Sequence, residues 1–265
     1  MTREDEATFQ IDAQGDGAAL LLHGYMGSPR ELRPLAAALA EAGVTARAEL
    51  MPGFGEAGRP HLKRVRAEEW LEAAKAAWRE VTAGASHRTL LGYSMGGAVA
   101  LALSVDPEVR PDQLILLAPY WRMADPRAAL LPVAHYVMPQ FEPFGRLDFA
   151  DPATRERLAK LAPDADLDDP AVQQGFQDGM RVPTHSLLQV RRIGMRARKA
   201  RPEAPVTIIQ GLEDPTTLPR DSRDLTRMTG AALIEVPANH ALVADDGPAW
   251  AQIRDAVVSR ATGAG

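Results

Sequence analysis

The chain has no cysteine among its 265 residues, and this removes several chemistries at once. It can offer no thiolate nucleophile, no disulfide, no Cys-ligated zinc centre and no thiolate-held iron–sulfur cluster. Lysine is scarce, standing only at 63, 75, 160 and 199, aromatic residues make up 5%, and the formal charge is −5. A nucleic-acid binder usually carries a basic excess that releases counterions from phosphates, so no nucleic-acid partner is expected. Long apolar runs are also missing. Ala18-Ala19-Leu20-Leu21-Leu22 and Leu114-Ile115-Leu116-Leu117-Ala118 fall far short of the ~20 residues that span a bilayer. The acidic start Met1-Thr2-Arg3-Glu4-Asp5-Glu6 leads into no apolar segment of signal-peptide length. The expectation is a cytoplasmic protein without a membrane partner, monomeric or homodimeric.

What is present is a chain 46% hydrophobic and 25% charged, large enough to bury roughly 70–75% of its unfolded surface around one core. Short apolar runs alternate with longer helical patterns, which predicts an α/β fold with a mostly parallel sheet covered by helices on both faces. Seven strands are expected, at Ala7–Ile11, Ala18–Leu22, Thr45–Leu50, Thr89–Tyr93, Gln113–Ala118, Val206–Gln210 and Ala232–Val236. Ser28-Pro29-Arg30-Glu31 reads as a helix start, with a Ser N-cap, Pro at the first helical position and Glu three residues after the cap. Further helices are expected over Ala67–Thr82, Met95–Ser104 and Pro248–Ala261. Between Tyr120 and Arg201 the rhythm breaks, with prolines at 132, 139, 143, 152, 163, 170 and 183. Residues 120–201 therefore read as a mostly helical insertion into a core formed by 1–119 and 202–265.

Gly92-Tyr93-Ser94-Met95-Gly96 matches G-x-S-x-G between a predicted strand and a predicted helix. At such a turn a strained serine is pushed into the open above the sheet. A serine hydroxyl needs a neighbouring base and a group to orient that base. His240, after the last predicted strand, and Asp214, after the strand before it, supply them in the order Ser, acid, His. Glu213 is the competing acid and Asp125 a remoter one. In Leu22-His23-Gly24-Tyr25-Met26-Gly27 a turn follows a strand. The N–H of Tyr25, with that of Met95, would form a two-donor oxyanion hole.

These segments, together with Met51-Pro52-Gly53-Phe54-Gly55, Gly211-Leu212-Glu213-Asp214 and Asn239-His240, resemble the α/β-hydrolase superfamily, in particular its small bacterial carboxylesterases and monoacylglycerol-lipase-like members. The resemblance runs from residue 20 to residue 240. It implies Ser94 as nucleophile, His240 as general base, Asp214 as its orienting acid, and 120–201 as a lid shaping the acyl pocket. His23, Gly24, Met26, Trp121, Met123 and Met138 are the expected substrate-binding residues. The implied activity is hydrolysis of short- to medium-chain carboxylic esters, monoacylglycerols among them, through an acyl-enzyme. The substrate is the only small-molecule partner, and neither cofactor nor metal is called for.

Other readings stand beside this one. The same triad serves C–C bond hydrolases, cofactor-free haloperoxidases or perhydrolases and acyltransferases, and the fold also hosts non-catalytic binding modules. No G-x-x-x-x-G-K suggests a phosphate loop and no H-E-x-x-H suggests zinc. His61, His87, His135 and His185 read as surface or insertion residues. The basic stretch Arg191–Arg201 reads as a solvated helix face, offset by acidic residues at 164–169.

Overall fold

A computed structural model describes residues 6–123, 126–141, 147–161, 166–179 and 181–263. Strand β1 (Phe9–Ile11) is followed by β2 (Gly17–Leu22), helix α1 (Arg33–Glu41), β3 (Val44–Glu49), the short α2 (Gly55–Gly58), α3 (Ala67–Val81), β4 (His87–Tyr93), α4 (Met95–Leu103) and β5 (Gln113–Leu117). After these come α5 (Leu131–Val137), β6 (Gln140–Phe141), α6 (Pro152–Leu161), α7 (Pro170–Gly179), β7 (Val182–Pro183) and α8 (Thr184–Ala197). The chain ends with β8 (Val206–Gly211), α9 (Pro219–Thr229), β9 (Ala232–Val236) and α10 (Trp250–Ala261). All seven expected strands form, each within two residues of the sequence reading.

They make one sheet in the order β1-β3-β2-β4-β5-β8-β9. Every neighbouring pair is parallel except β1 with β3. Parallel strands need crossovers; helices α1, α3, α4 and α9 each lie in one, while α10 follows the last strand. Because both sheet faces are covered, central strands lose their polar alternation: β5 and β8 are buried at every position. One core cluster contains Leu20, Leu90, Trp70, Trp78 and Leu116, and the other Leu21, Leu35, Leu91, Ile115 and Ile253. Odd and even residues of the same strands thus feed opposite faces.

The chain divides into two compact units, residues 1–126 with 189–265, and residues 127–188. The second unit is shorter than the expected 120–201 insertion. Trp121, Ile193 and Ala197 are apolar and buried in the main core cluster, which carries both flanks of the insertion into the first unit. Within 127–188, prolines cut the chain into α5, α6 and α7, and β6 pairs with β7 in a two-stranded ribbon. An Arg155–Asp168 ion pair and a 2.9 Å bond from the Leu147 N–H to Gln177 Oε1 link its segments.

The predicted helix start at Ser28 also needs correcting. Pro29–Leu32 is a 3-10 turn and α1 begins at Arg33. Ser28 makes no side-chain cap bond, and Glu31 turns elsewhere.

Candidate active site

The parallel register brings the ends of the central strands level. Leu22 of β2 pairs with Gly92 of β4, Leu117 of β5 with both Tyr93 and Ile209, and Gly211 of β8 with Val236 of β9. Loops leaving these strands therefore gather at one edge, where open parallel sheets place their ligands. Ser94 stands between β4 and α4 with φ 52° and ψ −116°. A non-glycine residue held there costs on the order of 1–3 kcal/mol and persists only when its surroundings fix it. They do so here: the Ser94 N–H donates to Leu117 O at 2.9 Å, while Ser94 O accepts from Gly97 at 2.9 Å and from Tyr120 at 3.0 Å. The tight turn also explains a glycine, since a Cβ on Gly96 would lie 2.1 Å from Leu22 O.

His240 Nε2 is 3.1 Å from Ser94 Oγ, and His240 Nδ1 is 2.7 Å from Asp214 Oδ2. The three side chains form one continuous series. Asp214 is buried against the imidazole, whereas Glu213 is exposed. Asp125 lies outside the described residues. Asp214 Oδ1 accepts the backbone N–H groups of Thr216 at 2.7 Å and Thr217 at 2.9 Å; Oδ2 accepts the Thr217 hydroxyl at 2.7 Å and Gln210 Nε2 at 3.2 Å. Burial alone would push this carboxyl up, but the bonds from His240 and Thr217 outweigh it and hold it below its ordinary value. Asp214 is thus a fixed anion beside the imidazole. The His240 loop is itself held, because the Tyr93 hydroxyl donates to His240 O at 2.8 Å.

On the other side of Ser94, residues 24–27 form a turn closed by the Gly27 N–H to Gly24 O at 3.2 Å. Met26 occupies a left-handed conformation, φ 62°. Tyr25 packs edge-on to Phe54, which in turn lies against Trp70. Met95 opens α4, where the first N–H groups have no intrahelical acceptor and the dipole end is positive.

Two expected substrate contacts do not hold. His23 has no exposed surface: its Nδ1 donates to Gly24 O at 2.8 Å and its Nε2 accepts from the Met51 N–H at 3.1 Å. It is a neutral strut joining β2 to the loop after β3, and burial pushes its pKa down to about 4. Trp121 is buried, with its indole N–H on Asp221 O at 3.0 Å and its ring facing the Arg122 and Arg198 guanidinium groups. Gly24 does lie beside Ser94, 3.4 Å separating its would-be Cβ from Ser94 Cβ. Met26 and Met123 are partly buried against the core, and Met138 is exposed in the second unit. Sequence reasoning missed Thr217, Gln210, Tyr93 and Glu31. The run Asp214-Pro215-Thr216-Thr217 carried a usable signal, since an Asp followed by Thr commonly accepts N–H groups two and three residues on. Among the described residues, no group of three His, Asp or Glu side chains is placed to hold a metal ion, and no helix is long and apolar enough to cross a membrane.

Residues 13–238 match the family model for serine aminopeptidase, S33. The chain belongs to this S33 family of α/β hydrolases. Among relatives of this S33 member, a thermostable monoacylglycerol lipase from Bacillus sp. (strain H-257) is 31% identical over 98 residues, which span 37% of the chain and 38% of that lipase. The match therefore covers well under half of the relative. A metagenome-derived lipolytic enzyme superposes with a TM-score of 0.75 at 20% identity, covering 98% of both chains. The monoacylglycerol lipase of Paleococcus ferrophilus gives 0.71 at 20% identity, over 97% of this chain and 98% of that one. At such identities these structures establish a shared fold.

Proposed function

We propose that this S33 family member is a serine carboxylesterase acting on short- to medium-chain esters, monoacylglycerols included. The hydrogen-bonded series Ser94–His240–Asp214 at the strained turn carries the reading. His240 takes the Ser94 proton as Oγ attacks the ester carbonyl, and the imidazolium that forms is stabilised by buried Asp214. Negative charge then develops on the carbonyl oxygen, where the N–H groups of Tyr25 and Met95 receive it; one such donor is worth roughly 3–4 kcal/mol of barrier. His240 passes its proton to the leaving alcohol, and the same steps with water release the acid and restore Ser94.

The substrate class rests on the surroundings. Tyr25 and Met26 on one flanking loop, and Tyr120 and Met123 on the other, are partly buried apolar residues resting on the core. Flexible methionines suit an acyl chain better than a charged group. We also assign residues 127–188 as the lid, on their place in the chain between β5 and the strand that leads to the acid.

A p-nitrophenyl ester series from acetate to palmitate, run beside aminoacyl p-nitroanilides, tests this. We expect the best kcat/KM at short to medium acyl length, far slower anilide cleavage, and no hydrolysis by Ser94→Ala. Anilides cleaved faster than every ester would overturn the ester reading, and an active Ser94→Ala would overturn the nucleophile.

A further inference from the structure

Glu31 looks from the sequence like a helix-cap residue, yet its carboxyl group points back into the active site. Oε1 accepts the Gly24 N–H at 2.7 Å, seven residues upstream. The same group lies against the other end of the turn: a Cβ added to Gly27 would come within 2.4 Å of Oε1 and 2.7 Å of Oε2. Gly24 and Gly27 are the two residues whose mutual hydrogen bond closes the turn, with Tyr25 and the left-handed Met26 between them. One carboxyl group thus touches both feet of the turn that presents the Tyr25 amide. Ser94 Cβ and Glu31 Oε1 both lie about one van der Waals contact, 3.4 and 3.5 Å, from the would-be Cβ of Gly24.

We propose that Glu31 is a positioning residue that clamps the 24–27 turn from behind and so sets the Tyr25 N–H against the oxygen of the attacked carbonyl. The inference rests on the serine-hydrolase reading above. Without the clamp, Met26 would be free to leave its left-handed conformation, which a non-glycine residue holds at a cost on the order of 1–2 kcal/mol. The Tyr25 amide would then swing out of line. Loss of alignment at an oxyanion donor slows the chemical step and leaves ground-state binding almost unchanged.

The charge environment supports the same placement. Burial pushes the Glu31 carboxyl up to about 7, against the opposing effects of the Gly24 N–H and of His240. The titratable groups around it are His240 from the loop after β9 and Tyr93 from β4, with neutral His23 beneath the same turn.

The test is a double-mutant cycle read by kcat, KM and the affinity of a trifluoromethyl ketone, whose adduct with Ser94 carries the oxyanion. Glu31→Ala should lower kcat by about 10–100-fold and weaken the ketone by a similar factor, with KM changed less than threefold. Gly27→Ala should do the same, because its methyl displaces the carboxyl group. In the Glu31→Ala background Gly27→Ala should add little, since the atoms it collides with are gone. Glu31→Gln keeps the acceptor and should recover most of kcat. Full kcat in Glu31→Ala, fully multiplicative losses in the double variant, or equal losses in kcat and KM would each overturn the clamp. If Glu31→Ala does not fold, a Glu31→Gln variant with kcat as low as that of Gly27→Ala overturns it instead. Ser94→Ala run alongside separates the two claims: activity there defeats the serine-hydrolase reading, whereas a dead Ser94→Ala with an active Glu31→Ala defeats only this one.

Discussion

His23 gives the sharpest prediction about stability. Its imidazole has no exposed surface, and each ring nitrogen is committed to the backbone, at Gly24 O and the Met51 N–H. A protonated ring would need to donate from Nε2 as well, toward an N–H that also donates. Folding therefore selects the neutral form, and the pKa falls to about 4 from an ordinary value of 6.5. Between these values the unfolded chain binds a proton that the folded chain refuses, so the contribution is complete above pH 6.5 and is lost as pH falls toward 4. At about 1.36 kcal/mol per pH unit the whole interval is worth about 3 kcal/mol, of which about 2 kcal/mol is lost between pH 8 and pH 5. Glu31 works in the opposite sense, because its raised pKa makes the folded chain bind a proton first as pH falls. Wild-type stability alone would blend the two. Comparison with His23→Gln isolates the histidine: the variant is less stable at pH 8 by about 1–3 kcal/mol, for an imperfectly replaced pair of buried hydrogen bonds. That gap should shrink by about 2 kcal/mol at pH 5, or roughly 0.7 M in urea midpoint for a slope of about 3 kcal/mol/M. A gap that is the same at both pH values would refute the neutral-strut account.

Three other variants probe the active site. Asp214→Asn should cost about 10⁴-fold in kcat by spoiling the orientation and charge support of His240, while Glu213→Gln stays near wild type in the same ester assay. Gly96→Ala should lose at least 3 kcal/mol of stability or fail to fold, since its methyl meets Leu22 O at 2.1 Å; thermal melting measures this. Tyr93→Phe removes the bond to His240 O and should cost about 1 kcal/mol in unfolding free energy, with a fall in kcat larger than any change in KM.

Strand positions were legible because the short apolar runs of a doubly covered sheet stand out against polar loops, and the seven strands of the large sheet follow them closely. That Ser94, Asp214 and His240 would meet was legible for a related reason: topology sends the residues after parallel strands to one edge, so order along the chain carries spatial information. Glu31 was not, because Ser-Pro-Arg-Glu fits a helix-cap pattern and only three-dimensional packing turns its carboxyl toward Gly24. His23 was misplaced by the opposite error. A histidine beside a predicted oxyanion turn invites a substrate role, and nothing in the sequence reveals that Met51 and Gly24 occupy both of its nitrogens. The insertion was drawn too long since the apolar residues of α8 from Gln189 onward, read as part of a separate lid, belong to the main core.

The central claim is that Ser94 is a nucleophile activated by His240, and a fluorophosphonate probe tests it most directly. The probe reacts only with a serine whose hydroxyl is being deprotonated at an oxyanion site, and mass spectrometry of the digested protein locates the adduct. One adduct per chain is expected, on the peptide carrying Ser94, abolished in Ser94→Ala and slowed strongly in His240→Ala. No adduct on the folded protein, or an adduct on any serine other than Ser94, would contradict it.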